Sequence, residues 1–598
     1  MCGIAGYCSF EAGDFPGKEI QQKILDLMKT RGPDGSGVWT DAGDRVTLLH
    51  RRLAIQDLSE TGVQPMLSDD GRLAITFNGE IYNVAELRRW VPDYPFKGTS
   101  DTEVLLAIYQ KYGQQMLKYL RGMYAFAIWD DRNQGLFLAR DAYGIKPLYL
   151  ATTPHGLWFC SQVKPLLEVP GVDLSPEPAG HAGFFLWGSV PEPYTLYRGI
   201  RSLRSGHSLW LQRGGEPKST QFASIAELMA GSAPLSPGQS ESDRLQDALR
   251  ESVRAHFVAD TPVAVFLSAG LDSSTILGIA AGSFCPANLN CLTLGFDAFQ
   301  NTGCDERAEA THIASHYGVP QHIQVVTQAD FEAQSTHFLE AMDQPTIDGI
   351  NTYFVARMAR DAGFKVALSG IGGDELFGGY GSFRQIPQMM NLARTMGGSR
   401  RAGRFFREHT EPLFQRVTSP KYAGVLEYGR RIQGAYLLRR SLFMPWELSK
   451  VLDADLADAG LEELARAECE DAELEKLKGL PLHLQISFLE STRYMRNQLL
   501  RDADWAGMAH SLEIRTPLVD QFLLKQLSPL LSSKHAPTKL EMAATPNKPL
   551  PQSVLHRKKT GFGVPVREWL TSSLADKPER GLRSWAKFVY RHQYPKAS

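Results

Sequence analysis

Cysteine is scarce in this chain of 598 residues. The seven present (Cys2, Cys8, Cys160, Cys285, Cys291, Cys304 and Cys469) are odd in number and scattered, with no CxxC pair. That excludes a disulfide framework and a cysteine-built zinc site. No apolar run approaches the roughly 20 residues that cross a bilayer. The opening Met1-Cys2-Gly3-Ile4-Ala5-Gly6-Tyr7 also lacks the basic and apolar regions of a signal peptide, so a cytoplasmic setting is expected. Neither sign of charge is in excess: 64 Lys and Arg face 66 Asp and Glu, a balance of −2. No global field is available to hold nucleic acid or an anionic membrane, and neither partner is expected. Apolar residues make up 43% and charged residues 22%, as in soluble globular proteins, so disordered and fibrous classes are excluded as well. There is no internal repeat, and the length, roughly three to four average domains, predicts at least two cores.

Short apolar runs bounded by glycine, asparagine or aspartate fill residues 1 to about 210: 45–53, 73–77, 124–129, 135–139, 148–151 and 157–160. They read as strands. Helical spacing interrupts them at 19–29 (Ile20, Ile24, Leu27, Met28) and 102–112 (Val104, Leu105, Ile108), which predicts a sheet layered against helices. Residues 213–240, rich in Gly, Ser and Pro, read as a linker between a first domain (1–212) and a second (241–598). Strand-like runs at 263–267, 292–296, 323–326 and 365–368 then alternate with helical stretches such as 306–317 and 353–362, the pattern of a parallel α/β sheet. Beyond about 381 the chain reads as mostly helical.

Cys2 stands directly after the initiator methionine. Once that methionine is removed, the thiol carries its own base, because an α-amine has a pKa of about 8 and can take the thiol proton directly or through a water. Position alone would favour an ordinary strand cysteine. Six blocks change the balance: Met1-Cys2-Gly3-Ile4, Arg31-Gly32-Pro33-Asp34-Gly35, His50-Arg51-Arg52-Leu53-Ala54-Ile55, Asn78-Gly79-Glu80-Ile81-Tyr82-Asn83, Ser100-Asp101-Thr102-Glu103 and Arg140-Asp141. Their order resembles the class II glutamine amidotransferases, the N-terminal-nucleophile (Ntn) group, over nearly all of 1–210. The resemblance implies an αββα Ntn-hydrolase sandwich with Cys2 as nucleophile. Arg52 would then bind the glutamine carboxylate, Asp101 and Glu80 its amino group, with Ile55 in the same pocket, and Asn78 and Gly79 would form the oxyanion hole. By composition alone Asn78-Gly79 reads as a hairpin turn. Arg31 to Gly35 reads as a turn that supports the site's architecture.

A second signal lies at Phe266-Leu267-Ser268-Ala269-Gly270-Leu271-Asp272-Ser273-Ser274, a polar turn between an apolar strand and a helix. Such a turn offers N–H groups and a positive dipole end to an anion. A carboxylate within it, Asp272, suggests bridging magnesium. Walker A is excluded, since no Gly-Lys-Ser/Thr follows. Together with Ser369-Gly370-Ile371-Gly372-Gly373-Asp374-Glu375-Leu376-Phe377-Gly378-Gly379-Tyr380, the turn resembles the ATP-pyrophosphatase half of asparagine synthetases through most of 240–570. Arg501-Asp502, the block 511–517 and the block 558–565 continue the pattern. The resemblance implies Mg²⁺ on Asp272 and Asp374, and ATP held by Phe266, Leu267, Ser268, Gly270, Asp272, Ser273, Leu294, Ser369 and Gly370. Lys539 would meet the α-phosphate in the transition state. Two positions depart from the family: Ala269 stands where glycine is usual, and Ile371 where asparagine-forming members carry a carboxylate.

The two signals imply one reaction. Ammonia released from glutamine at Cys2 is consumed by a carboxylate that Mg-ATP has adenylated, with pyrophosphate and AMP as by-products. Asparagine synthesis from aspartate is the default reading, and Ile371 raises the rival of another acid, such as a sugar uronic acid or a specialised metabolite. Ring closure as in β-lactam synthetases is disfavoured by Cys2. A non-catalytic glutamine sensor is disfavoured by Asp272, Asp374 and Lys539. The expected partners are small molecules, with a homodimer as the expected form of any self-association.

Overall fold

Period-two alternation sets the layers of the first half. In the computed structural model, which describes residues 2–10, 17–212, 215–231, 238–284, 289–417, 419–557, 565, 569 and 579–595, its strands are β1 (Gly3–Ser9), β2 (Gly35–Thr40), β3 (Val46–Arg52), β4 (Met66–Leu67), β5 (Leu73–Ile81), β6 (Gly122–Asp130), β7 (Gly135–Arg140), β8 (Tyr149–Thr152), β9 (Gly156–Cys160), β10 (Ile200–Ser202), β11 (His207–Gln212) and β12 (Lys218–Gln221). They form two antiparallel sheets of order β10-β8-β9-β1-β3-β2 and β12-β11-β7-β6-β5-β4. Ile4 and Cys8 of β1, Ala125, Ala127 and Trp129 of β6, and Leu136 and Leu138 of β7 meet in the core between the sheets. The alternate residues face outward to helices, as side chains in strands must. Ala5 and Tyr7 pack with Ile24, Leu25 and Met28, and Tyr124, Phe126 and Ile128 with Val104, Leu105 and Ile108. The result is the four-layer αββα sandwich.

The stretch expected as a linker is partly structured. β12 pairs with β11 in the second sheet, and the helix Ile225–Ala230 packs its Ile225, Ala226 and Met229 into the core of the C-terminal half. The helix Glu241–Ala255 follows, capped by a reciprocal Ser240/Asp243 pair.

The C-terminal half is built on β13 (Val263–Phe266), β14 (Asn290–Phe296), β15 (Gln321–Val326), β16 (Val366–Leu368) and β17 (Glu513–Arg515). All are parallel, in the order β15-β14-β13-β16-β17. From β13 the chain winds out to β14 and β15, then returns to the other side of β13 for β16. In an open parallel sheet, the carboxyl ends of the strands at such a reversal flank the ligand crevice. The residues after β13 and β16 are the two glycine-containing motifs. From Ser382 to Ala509 the described residues are helical apart from short connections.

The halves share one interior. Leu53, Ile55, Met123, Ala142, Tyr143 and Ile145 from the first pack in one apolar cluster with Leu249, Val265 and Leu518 from the second.

Candidate functional sites

Beside the first half's sheets, Cys2, Arg52, Leu53, Ile55, Gln56, Gly79, Glu80, Asp101 and Glu513 are among the residues lining one cleft. Cys2 precedes β1, and its backbone N–H donates to Asn78 Oδ1 at 3.0 Å. Its half-buried thiol lies 3.9 Å from the Leu53 carbonyl, and burial pushes that thiol's pKa up. The expected turn at Asn78-Gly79 is instead the middle of β5, paired to Ala125 and Tyr124 of β6. The buried run Leu73 to Phe77 before Asn78 and buried Ile81 after it keep the strand going. Gly79 is required by space, since a Cβ there would stand 2.3 Å from the Met123 carbonyl oxygen.

Arg52 extends from the end of β3, donating to the carbonyl of Ser59 at 3.1 Å and to that of Asp57. Asp101 opens the helix Asp101–Tyr112 and accepts the Ile81 N–H at 3.1 Å. Burial raises its pKa to about 6 against the pull of that hydrogen bond. The Glu80 carboxylate is already engaged, by Gln56 Nε2 and by Arg515 Nη2 at 2.8 Å. The cleft therefore brings together Cys2, Arg52, Ile55, Gly79, Glu80 and Asp101, with Asn78 bonded to Cys2 at its side.

In the second half, the turn after β13 is closed by its own serines. Ser273 Oγ lies 3.0 Å from Ser268 Oγ and donates to the Ser268 carbonyl at 3.1 Å, and Gly270 N–H donates to Ser268 Oγ at 3.2 Å. Ala269 does not take a positive φ, and Gly270 is extended at φ −79°, so alanine fits the turn without backbone strain. Leu267 N–H donates to the Leu292 carbonyl at 2.8 Å, fixing the turn to β14, on which Leu294 is buried. Phe266 is half-buried at the end of β13.

After β16, Ser369 N–H donates to the Arg515 carbonyl at 2.8 Å, and Gly370 backs onto Asp272 and Ser273. Asp272 and Asp374 converge on one cation, the Lys539 ammonium, which lies 2.5 Å from Asp272 Oδ2 and also contacts Asp374 Oδ1. Lys539 thus sits at the motif carboxylates from 165 or more residues further along the chain. Glycine is again a matter of space: a Cβ on Gly379 would stand 1.9 Å from Asp374 Oδ1 and 2.6 Å from Lys539 Cε. Ile371 is half-buried, against the apolar clusters on both sides of the sheet. The block 558–565 lies outside the described residues except for Pro565.

Between the sites runs a set of polar contacts, one of them a buried ion pair, that sequence reasoning did not reach. Arg31 donates Nε to the Cys2 carbonyl at 3.1 Å and grips Asp504 with Nη1 and Nη2 at 2.7 and 3.0 Å. Asp34 pairs with Lys365 at 2.7 Å, and Ser511 Oγ donates to the Thr30 carbonyl at 2.6 Å. The turn 31–35 is therefore a docking element. Glu513 also lines the cleft beside Cys2, although it belongs to the second sheet.

The comparisons with known proteins match this division. The family model described as "Glutamine amidotransferase domain" matches residues 1–222, and that described as "Asparagine synthase" matches residues 244–593. The chain is 31% identical over 592 residues to asparagine synthetase [glutamine-hydrolyzing] 1 of Bacillus subtilis, covering 96% of this chain and 88% of that one. The chain belongs to the glutamine-hydrolysing asparagine synthetase family. A putative asparagine synthetase of Mycobacterium tuberculosis is 32% identical over 606 residues, with 95% and 88% covered. Amidase chry2 of Gibberella zeae is 30% identical over 413 residues, with 64% and 60% covered. Among solved structures, the glutamine phosphoribosylpyrophosphate amidotransferase of B. subtilis aligns at a TM-score of 0.29 and 17% identity, with 62% and 81% covered. As a member of the asparagine synthetase family, the protein is an ATP-dependent, glutamine-hydrolysing carbon–nitrogen ligase. No described helix is long and apolar enough to cross a membrane.

Proposed function

We propose that glutamine is hydrolysed at Cys2 and that its nitrogen amidates a carboxylic acid adenylated at the Asp272/Asp374/Lys539 site. The observation that carries this reading is the convergence of Lys539 with the carboxylates of both glycine-containing motifs at the sheet's reversal point, on the same chain as a cleft lined by Cys2, Arg52 and Asp101. With methionine removed, the Cys2 amine, a group whose ordinary pKa is about 8, takes the thiol proton. The raised thiol pKa makes that transfer necessary. Arg52 suits the α-carboxylate of glutamine and Asp101 its α-ammonium. Asn78 and Gly79 would supply the side-chain amide and backbone N–H for a developing tetrahedral oxyanion. Glu80 then acts through Arg515 in shaping the pocket wall.

Two carboxylates meeting at one cation position fit magnesium, and Asp272 and Asp374 would hold it. Bound there, the ion would neutralise charge on the departing pyrophosphate. Lys539 is long enough to swing from these carboxylates to the α-phosphate as charge builds there.

Aspartate is the default acceptor, giving asparagine. Ile371 supports a second reading, because isoleucine can neither accept a proton nor pair with an amine at a slot where a carboxylate would serve an amino-acid acceptor. Amide formation with each acid, followed as AMP and pyrophosphate release with glutamine and ATP, tests both. Turnover of aspartate establishes the first; silence with aspartate beside turnover of another acid, such as a uronic acid, establishes the second. A Cys2→Ala variant is expected to lose glutamine-dependent synthesis and keep synthesis from ammonium salts. Loss of both, or retention of both, would refute the role given to Cys2.

A further inference from the structure

Glu513 and Arg515 are two residues apart on β17, so both side chains point to one face of the strand, while Ile514 between them packs into the apolar core on the other. β17 is the terminal strand of the parallel sheet. Its neighbours Ser511 and Lys365 bond Thr30 and Asp34 of the first half. This docking brings the Glu513/Arg515 face to the wall of the glutamine cleft. Both side chains are fully buried.

The Arg515 fork is spent on fixed partners: Nε on Glu513 at 2.6 Å, Nη2 on Glu80 at 2.8 Å, and Nη1 on the carbonyls of His256 and Val258 at 2.9 and 2.6 Å. One guanidinium thus serves two carboxylates. The charged and titratable groups around Glu513 are the chain's terminal ammonium, Arg515 and Lys146 on the positive side, and Glu80, Asp101, Tyr82 and Cys2 on the other. Burial opposes ionisation of Glu513, but the chain's terminal ammonium, then Arg515 and Lys146, hold its carboxyl below the usual range. A carboxylate from the other half of the molecule thus lines the cleft beside Cys2.

We propose that Glu513 is a positioning residue of the glutaminase site: a carboxylate from the synthetase half that orients the ammonium group of the mature first residue, Cys2, and sets the pH at which that amine becomes a base. The inference rests on the reading of Cys2 as an amino-terminal nucleophile. A nearby anion favours the ammonium form and so raises the pKa of the amine. The glutaminase then reaches full rate only at a pH fixed partly by a residue more than 500 positions away.

The test uses the full-length protein with methionine removed, as E513Q and E513D. The rate of glutamate release at low glutamine is followed against pH, together with the pH dependence of Cys2 alkylation by iodoacetamide. In E513Q the ascending limb of both profiles is expected to move to lower pH by about one unit, a tenfold change in amine basicity. E513D, with its charge withdrawn by one methylene, is expected to move less. Unmoved limbs overturn the proposal. So does a rise in KM for glutamine with the limbs in place, which would assign Glu513 to the substrate's ammonium. If thermal melting shows that E513Q does not fold, E513D decides: a shifted limb supports the proposal and an unmoved one overturns it. Intact-mass detection of a retained methionine, or glutamine hydrolysis surviving Cys2→Ala, would instead refute the reading of Cys2 itself.

Discussion

Arg31 and Asp504 form a two-point ion pair, with bonds of 2.7 and 3.0 Å and side chains only 1% and 7% exposed, across the seam between the halves. The same guanidinium holds the Cys2 carbonyl, so one side chain ties the candidate nucleophile to the synthetase half. Removing one partner of a buried pair strands the other charge and costs about 3–5 kcal/mol. Arg31→Ala is expected to destabilise the protein by that amount in chemical denaturation, and to lower glutaminase activity at temperatures where the variant remains folded. Arg31→Ala with wild-type stability would refute this account of the seam.

Asp101 leads to a pH dependence. Burial raises its pKa to about 6, so the carboxylate is charged above that pH and protonated below it. If it receives the α-ammonium of glutamine, KM for glutamine should be flat above pH 7 and rise toward tenfold per unit below pH 6. Asp101→Asn should show a high KM at every pH, without that rise. A wild-type KM independent of pH from 5 to 8 would remove Asp101 from the substrate's contacts.

Lys539 separates the two chemistries. Its ammonium bridges Asp272 and Asp374, and Lys539 is not one of the residues lining the glutamine cleft. Lys539→Met is expected to reduce pyrophosphate release by at least about a hundredfold, the scale seen when a transition-state charge partner is lost. Basal glutamine hydrolysis should stay within about twofold of wild type. Normal pyrophosphate release in this variant would return Lys539 to a structural role.

Gly379 tests the packing around that lysine. A methyl group there would meet Asp374 Oδ1 at 1.9 Å and Lys539 Cε at 2.6 Å, so one or both must move. Gly379→Ala is expected to abolish amide synthesis from ammonium while sparing glutaminase activity. A fully active variant would mean that the Asp374–Lys539 contact is dispensable.

Much of this arrangement was legible in the sequence because its signals are local. Apolar runs such as 124–129 and 135–139, bounded by turn residues, became β6 and β7, and the turns at 267–273 and 369–374 carry their glycines and carboxylates within a few residues. The Arg31–Gly35 block read as architectural support and is a docking turn. Its partners were hidden, because Arg31 finds Asp504 across 473 positions, and no periodicity encodes such a pair. β17 was also missed as a strand, since three residues, Glu-Ile-Arg, are too short for an alternating pattern to register. Residues 213–240 look like a linker by composition, yet β12 is held by its backbone pairing to β11, which asks little of side-chain type. Asn78-Gly79 showed the opposite conflict. A turn dipeptide became mid-strand because its flanks, Ile75 to Phe77 and Ile81, are buried on a core-facing sheet, and tertiary burial outweighs local turn preference.

The shared interior of Leu53, Ile55 and Tyr143 with Val265 and Leu518 makes the two catalysts inseparable heirs. A front half grafted from a relative would have to bring its own side of that seam, and chance changes there would be screened for fit with the back half before being screened for chemistry. Reshuffling of modules is therefore costly.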